Sequence, residues 1–390
     1  MRLFLNACGV VCPLGSGVAA VARGLAAARP AFTPRADLIP GRTVPVGMVS
    51  AVPALPANAE SRNNRLMAAA LEQIAPAVAA AARRFGPHRV AVVLGTSTSG
   101  IAEGEQALAA RRQSGAWPEG FLYSRQETGS LADFAARHLG LSGPAYVIAT
   151  ACSSSAKVFA SARRLIRLGL ADAALVGGAD SLCRMALNGF NALEALSGEA
   201  CRPFSRHRDG ITIGEGAAAF LLSPDPGAVE LLGAGESSDA HHATAPHPEG
   251  DGARLSMAQA LAEAGLTPAD IAYINLHGTA TPLNDAMEAK AVAALFPPET
   301  WCGSTKGLTG HMLGGTGAVE AAFLWLCLDP ATGCATLPPH VWDGAADPAL
   351  PPLRLVPPGT ALPARAPLAM LSNSFGFGGS NVSLILGRAS

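Results

Sequence analysis

The sequence predicts an α/β protein built from two similar halves, each a mostly parallel sheet covered by helices. Three observations carry this expectation. Apolar runs of strand length alternate with Ala-rich stretches compatible with helix, the pattern left by strands joined through crossover helices. The pattern runs twice, and both rounds end alike: GEGAAAFLLS near Gly214 and FGGSNVSLILG near Gly378 are each a glycine turn feeding an apolar strand. Between the rounds, Ser223-Pro224-Asp225-Pro226-Gly227 interrupts both periodicities, which places the halves at 1–225 and 226–390.

Taken in order, MRLFLNACGVV has one early Arg followed by Asn, Cys and Gly, so it reads as a first strand and not as a signal peptide. Buried strands follow at 89–94, 145–151, 173–176 and 217–222. In the second half they are expected at 229–232, 271–276, 368–371 and 382–386. The stretch after Cys152 is helix-like to about Leu168. The Pro- and Ala-rich segment 338–367 is expected to wrap the surface as loop with short strands.

Composition fits a soluble enzyme. At 390 residues the chain can bury a large core. A net charge of −1 gives no electrostatic argument for nucleic acid or an anionic membrane. Every apolar stretch is interrupted before the ~18 residues that span a bilayer. The eight Cys have no metal-ligand spacing, and Cys8 with Cys12 is not a CxxC pair, so reduced thiols in a cytoplasm are expected.

Cys152 is the most informative residue. It sits in Thr150-Ala151-Cys152-Ser153-Ser154-Ser155-Ala156, between a strand-like and a helix-like segment. A thiol there lies over the positive end of a helix, which favours thiolate and marks a candidate nucleophile. Two histidines follow at glycine-rich strand exits, His277 in NLHGTATPLND and His311 in STKGLTGHMLGGTGAVE. Two histidines in such settings are less easily dismissed as structural than one, and with Cys152 they make a candidate site.

TACSSSA, HGTATPLND, KGLTGHMLGGTGAVE and the C-terminal NSFGFGGSN, in this order, resemble the β-ketoacyl-acyl-carrier-protein synthases of the thiolase superfamily. The likeness covers nearly the whole chain, including 3–15 and 201–210. It implies the thiolase fold, a five-layer α-β-α-β-α arrangement of two duplicated halves. It also implies decarboxylative Claisen condensation: Cys152 takes an acyl group from a carrier thioester, and a malonyl-thioester loses carbon dioxide and attacks the acyl-Cys. By the same likeness the backbone N–H groups of Cys152 and Phe377 form the oxyanion hole, and His277 and His311 give N–H bonds to the enolate. Lys306 organises the second histidine, Glu320 partners Lys306 or a bound cation, and Asp285 orders the loop below His277. Thr279 and Thr281 bind the phosphopantetheine arm, Phe375 and Phe377 gate it, and Ile101 and Phe190 line the acyl pocket.

The resemblance calls for no metal and no cofactor of the enzyme's own, since phosphopantetheine arrives on the acyl carrier protein. The implied partners are that carrier and a second ketosynthase-like subunit, in a homodimer or heterodimer. LGTSTSGIAEGE (94–105) and GESSDAHH (235–242) further resemble ketosynthases of aryl-polyene or related pigment pathways. Glu194 stands where fatty-acid relatives carry a basic carrier-docking residue, so Arg83 with Arg84, or Arg111 with Arg112, would have to serve. Two other readings stand beside this one. A chain-length partner subunit would lack the nucleophile, and a thiolase acting on coenzyme A esters would need a further cysteine where GFGGSN stands.

Overall fold

The computed structural model describes residues 1–389. In the first half, β1 (Phe4–Cys12), β2 (Val90–Gly95), β3 (Ala145–Ile148), β4 (Ala173–Asp180) and β5 (Gly216–Ser223) lie in the order β1-β5-β4-β2-β3. In the second, β6 (Val229–Ser238), β7 (Ile271–Asn275), β8 (Trp301–Gly303), β9 (Ala369–Gly376) and β10 (Ser380–Arg388) lie in the order β6-β10-β9-β7-β8. Counted from its own first strand, each half has the order first, fifth, fourth, second, third. Strand directions repeat as well: β2 is parallel to β3 and β4 as β7 is to β8 and β9. The fifth strands, β5 and β10, run antiparallel to both neighbours. One bridge, Phe4 to Glu230, joins the two sheets.

The sheets are therefore mixed, where the sequence pattern led us to expect mostly parallel ones. In the second half a glycine turn explains the difference. Gly378 and Gly379 take φ values of 83° and 77° between β9 and β10, and so tight a turn can return the chain only antiparallel. A hydrophobic run followed by a glycine turn looks the same in sequence whichever way the strand then pairs.

Helices α1 (Arg62–Phe85) and α2 (Ser130–Leu139) cover the outer face of the first sheet. Helix α4 (Asp251–Ala264) covers the second sheet, with α5 (Pro282–Leu295) packed beside it. Between the sheets lie α3 (Ser154–Arg167) and α6 (Thr316–Leu328), which touch strands of both halves. Every residue of α6 is buried, as a helix enclosed on all sides requires. This is the five-layer arrangement of the thiolase fold. Its close packing needs small residues: a Cβ on Gly95 would lie 2.4 Å from Ser155 N, so only glycine lets β2 seat the start of α3. Segment 338–367 is loop apart from the short strand Arg354–Leu355. No helix among the described residues is long and apolar enough to cross a membrane.

Candidate active site

The chain places its reactive groups beyond the C-terminal ends of the parallel strands, where α/β sheets leave a crevice. Past β3, Ala151 takes a left-handed φ of 52°. Its carbonyl accepts hydrogen bonds from Ser154 Oγ at 2.6 Å and Ser97 Oγ at 3.3 Å. This strained elbow projects Cys152 ahead of α3. His311 Nε2 lies 3.0 Å from Cys152 Sγ. The His277 ring stands edge-on to that of His311, centroids 5.3 Å apart, and 5.9 Å from Phe375. Ligand atoms of Cys152, His277 and His311 all lie within 4.8 Å of one another.

Electrostatics correct one expectation. Burial pushes the Cys152 thiol up to about 11, outweighing the pull of the Lys306 ammonium and the backbone N–H of Phe377. Burial thus favours the thiol, against the thiolate expected from its position at a helix start. Burial, joined by the Lys306 charge, also holds His277 and His311 well below the usual imidazole range, so both are neutral. His311 Nδ1 meets Thr316 Oγ1 at 3.0 Å, and a hydroxyl can donate or accept there. His311 is thus able to take the thiol proton at Nε2 or to present an N–H from it. The backbone N–H groups of Phe377 and Cys152 both act on the sulfur, placing the two expected hole donors beside it.

Lys306 Nζ donates to Glu320 Oε1 at 2.6 Å, with both side chains 1 % exposed. Glu320 Oε2, Ser372 Oγ and both amide atoms of Asn275 are buried without partners, and Asn275 pairs with Ser372 across β7 and β9. These atoms form one polar cluster around a carboxylate that the Lys306 ammonium already neutralises, and that charge disfavours a further cation there. The thiol and two imidazoles form a second set of metal-ligand type, but the Lys306 charge bears on all three and disfavours a further cation.

A cavity of about 240 Å³ opens onto the three groups. Thr279, Thr281, Phe190, Phe375 and Phe377 form its walls. The two threonine hydroxyls are 2.9 Å apart, and the Phe190 and Phe377 rings are 5.6 Å apart. The profile of the β-ketoacyl synthase N-terminal domain matches residues 53–228, and that of the C-terminal domain matches 228–340. The chain belongs to the β-ketoacyl synthase family.

Its relatives include the mitochondrial 3-oxoacyl-[acyl-carrier-protein] synthase of Arabidopsis thaliana. That protein is 39% identical over 271 residues, which is 63% of this chain and 57% of the relative. The 3-oxoacyl-[acyl-carrier-protein] synthase 2 of Staphylococcus aureus strain COL is 37% identical over 264 residues, 63% of this chain and 62% of the relative. The match thus spans less than two thirds of the length of these curated relatives. Solved structures match over the whole chain. A chain of the ketosynthase ApeO in complex with its chain length factor ApeC, from Xenorhabdus doucetiae, superposes with a TM-score of 0.94 at 45% identity, covering 100% of this chain and 98% of that one. A β-ketoacyl synthase from Burkholderia phymatum STM815 superposes at 0.88 and 27% identity, covering 100% of both.

Several residues differ from their expected places. Ile101 does not line the cavity. It opens the helix Ile101–Ser114, whose Gly100, Glu103 and Gly104 border a separate hollow. Arg84 pairs with Asp225, beyond the end of β5 that points away from the site, so Arg83 and Arg84 are far from the cavity mouth. Arg111 stacks on Trp117 with its guanidinium 4.4 Å from the ring. Glu194 lines the cavity with Leu193 and Leu283.

Two carboxylates escaped the sequence reading. Glu288 accepts from the backbone N–H of His277 at 2.8 Å and of Gly278 at 2.7 Å, fixing the turn that aims the imidazole. Asp180 accepts from Thr96 Oγ1, Thr98 Oγ1 and the backbone N–H groups of Ser97, Thr98 and Gly315. It ties the Ser97 support of the elbow to the turn before Thr316. Asp285 supports the backbone in a similar way. Its two oxygens accept from the N–H groups of Phe204 and Ala280, non-glycine residues with φ of 61° and 66°.

The buried ion pair gives a stability prediction. Glu320→Ala leaves the Lys306 ammonium buried and unpaired, so unfolding free energy should fall by about 3–5 kcal/mol. Replacing both partners, Lys306→Met with Glu320→Leu, should restore most of that loss in a denaturant titration. If Glu320→Ala were as stable as the parent chain, the pair would be structurally idle.

Proposed function

We propose that the chain condenses a carrier-bound acyl group with malonyl-acyl carrier protein, through an acyl-Cys152 intermediate, to give β-ketoacyl-acyl carrier protein. The convergence of Cys152, His277 and His311 on one cavity carries this reading. In the first half-reaction the Cys152 thiol gives its proton to His311 Nε2 as sulfur attacks the thioester carbonyl. The oxyanion is held by the N–H groups of Cys152 and Phe377, and the proton leaves with the pantetheine thiol. In the second, the carboxylate of malonyl-thioester departs as carbon dioxide. The electrons pass to the thioester oxygen, held by N–H groups of His277 and His311, and the carbanion attacks the acyl-Cys carbonyl and expels the Cys152 sulfur, which takes up a proton from solvent to return to the thiol.

In this reading residues 1–225 form the half that carries the nucleophile and 226–390 the half that carries the histidines. Thr279 and Thr281 hold the arm amides, and Phe375 with Phe377 gates the channel. The partners are the acyl carrier protein and a second ketosynthase-like subunit. A chain length factor stands beside ApeO in the 45%-identical structure, which favours a heterodimer. The enzyme acts with reduced thiols, in keeping with a cytoplasmic setting. A non-catalytic partner role fits poorly with an intact thiol and imidazole pair 3.0 Å apart. A thiolase role fits poorly because the GFGGSN turn offers no second cysteine.

For the pathway we propose synthesis of a conjugated, pigment-type chain. A rigid polyene loses less rotational freedom than a saturated chain on entering an apolar channel. The expected result is that, in equimolar competition between saturated and polyenoyl acyl-carriers of equal length, intact-protein mass spectrometry shows the polyenoyl adduct on Cys152 in excess. Equal loading, or an excess of the saturated adduct, would return the enzyme to general fatty-acid elongation. Loading from acyl-coenzyme A but from no carrier would favour the thiolase reading.

A further inference from the structure

A second pair of reactive sulfurs lies outside the condensing site. Helix α6 ends at Leu328, a single turn of 3-10 helix follows at Pro330–Thr332, and Gly333 takes a φ of 68°. This reversal brings Cys334 back over the helix end, with its Sγ 3.8 Å from that of Cys327. Both sulfurs also converge on one acceptor, the Thr336 carbonyl, at 3.4 Å from Cys334 and 3.6 Å from Cys327. Cys327 is buried and Cys334 is partly exposed. The pair is remote from the nucleophile: eleven residues of α6 separate Cys327 from Thr316, roughly 16 Å at 1.5 Å per residue.

We propose that Cys327 and Cys334 form a redox modification site, a dithiol that a hydroperoxide converts to an intramolecular disulfide while Cys152 stays reduced. The exposed sulfur attacks and the buried one resolves. Cys334 sulfur attacks one peroxide oxygen, so an S–O bond forms, the O–O bond breaks and an alcohol or water leaves, giving a sulfenic acid. Cys327 sulfur then attacks Cys334, so the S–S bond forms, the S–O bond breaks and water leaves with the Cys327 proton. Two thiols lose two electrons and two hydrogens, and one hydroperoxide is reduced.

The charges follow the same division. Contact with Cys327 lowers the Cys334 thiol, and the same contact with burial pushes Cys327 well up, so Cys334 is the more readily ionised of the two. Cys152 is the opposite case, buried and pushed up to about 11. Attack on peroxide needs an accessible thiolate, so the pair reacts first. The sulfurs must close from 3.8 Å to a bond of about 2.05 Å.

The test uses the full chain, reduced and then exposed to equimolar hydrogen peroxide. Cleavage after Lys306 and Arg354 releases residues 307–354, a peptide whose only cysteines are Cys327 and Cys334. The expected result is a loss of about 2 Da confined to that peptide, reversed by dithiothreitol, with the Cys152 peptide unchanged and acyl loading retained. Cys334→Ser, at a partly exposed position, should load acyl groups normally and show no such loss. In Cys327→Ser, Cys334 should instead gain oxygen, since it has lost its resolving partner. Oxygen added first to Cys152, or a 307–354 peptide that stays reduced while other cysteines oxidise, would overturn the proposal.

Discussion

Cys152→Ala should abolish acyl transfer from carrier to enzyme while leaving the fold intact. The substitution removes one sulfur from a buried site, and with it only the contacts of that sulfur with His311 and with the N–H groups of Phe377 and Cys152. The elbow is held from outside, by Ser97 and Ser154 on the Ala151 carbonyl, so its geometry survives. Intact-protein mass spectrometry after incubation with acyl-carrier should show no adduct, and circular dichroism should match the parent chain. Normal acylation of this variant would sink the condensing mechanism as a whole. Cys152→Gln places an amide where the acyl-sulfur carbonyl would lie. That variant should keep malonyl decarboxylation and lose condensation, which separates the two half-reactions in one protein.

The high position of the Cys152 thiol bears on how this nucleophile works. Only a very small fraction is thiolate at neutral pH when burial holds the group near 11. The reaction therefore cannot rely on a pre-formed thiolate, and the proton must move as the sulfur attacks. The partner for that transfer is His311, 3.0 Å away, neutral, and backed by a hydroxyl that accepts either tautomer. Position over a helix start said thiolate; depth within the protein says thiol with a base beside it.

Legibility in the sequence followed how unusual each residue looked in its surroundings. Cys152 stood out as a thiol between a strand-like and a helix-like segment, and His277 and His311 as imidazoles in glycine-rich stretches, settings where a core residue gains little. Lys306 and Glu320 were legible as a pair because two charges stood in an otherwise small and apolar stretch. The same logic hid Asp180 and Glu288. An Asp at a strand end and a Glu inside a helix are ordinary surface residues in sequence, and only the chain reversals at 96–98 and 277–278 show that they receive backbone N–H groups. Ile101 failed for the opposite reason. An apolar residue opening a helix carries no record of which side it packs on, and this one does not line the catalytic cavity. The duplication of the halves was visible in their matching ends, but the direction of the fifth strands was not, because alternation fixes which face is buried and not the sense of pairing.

The two histidines should separate under mutation. His277→Ala is expected to slow malonyl decarboxylation by roughly two to three orders of magnitude, the cost of one preorganised oxyanion donor. Acylation of Cys152 should remain close to normal, because the imidazole at hydrogen-bond distance from the sulfur is that of His311, at 3.0 Å. His311→Ala removes both a donor to the enolate and the base at the thiol. It should match His277→Ala in decarboxylation and, in addition, slow acylation. Raising the pH should rescue that second defect, since thiolate formed by solvent base replaces the transfer to His311. Rescue should grow as pH rises toward the thiol's own range near 11, within the limit of fold stability. The pH profile of acylation in His311→Ala is therefore the discriminating measurement. A flat profile, or acylation lost equally in both variants, would deny His311 its role as the base and leave the two imidazoles equivalent.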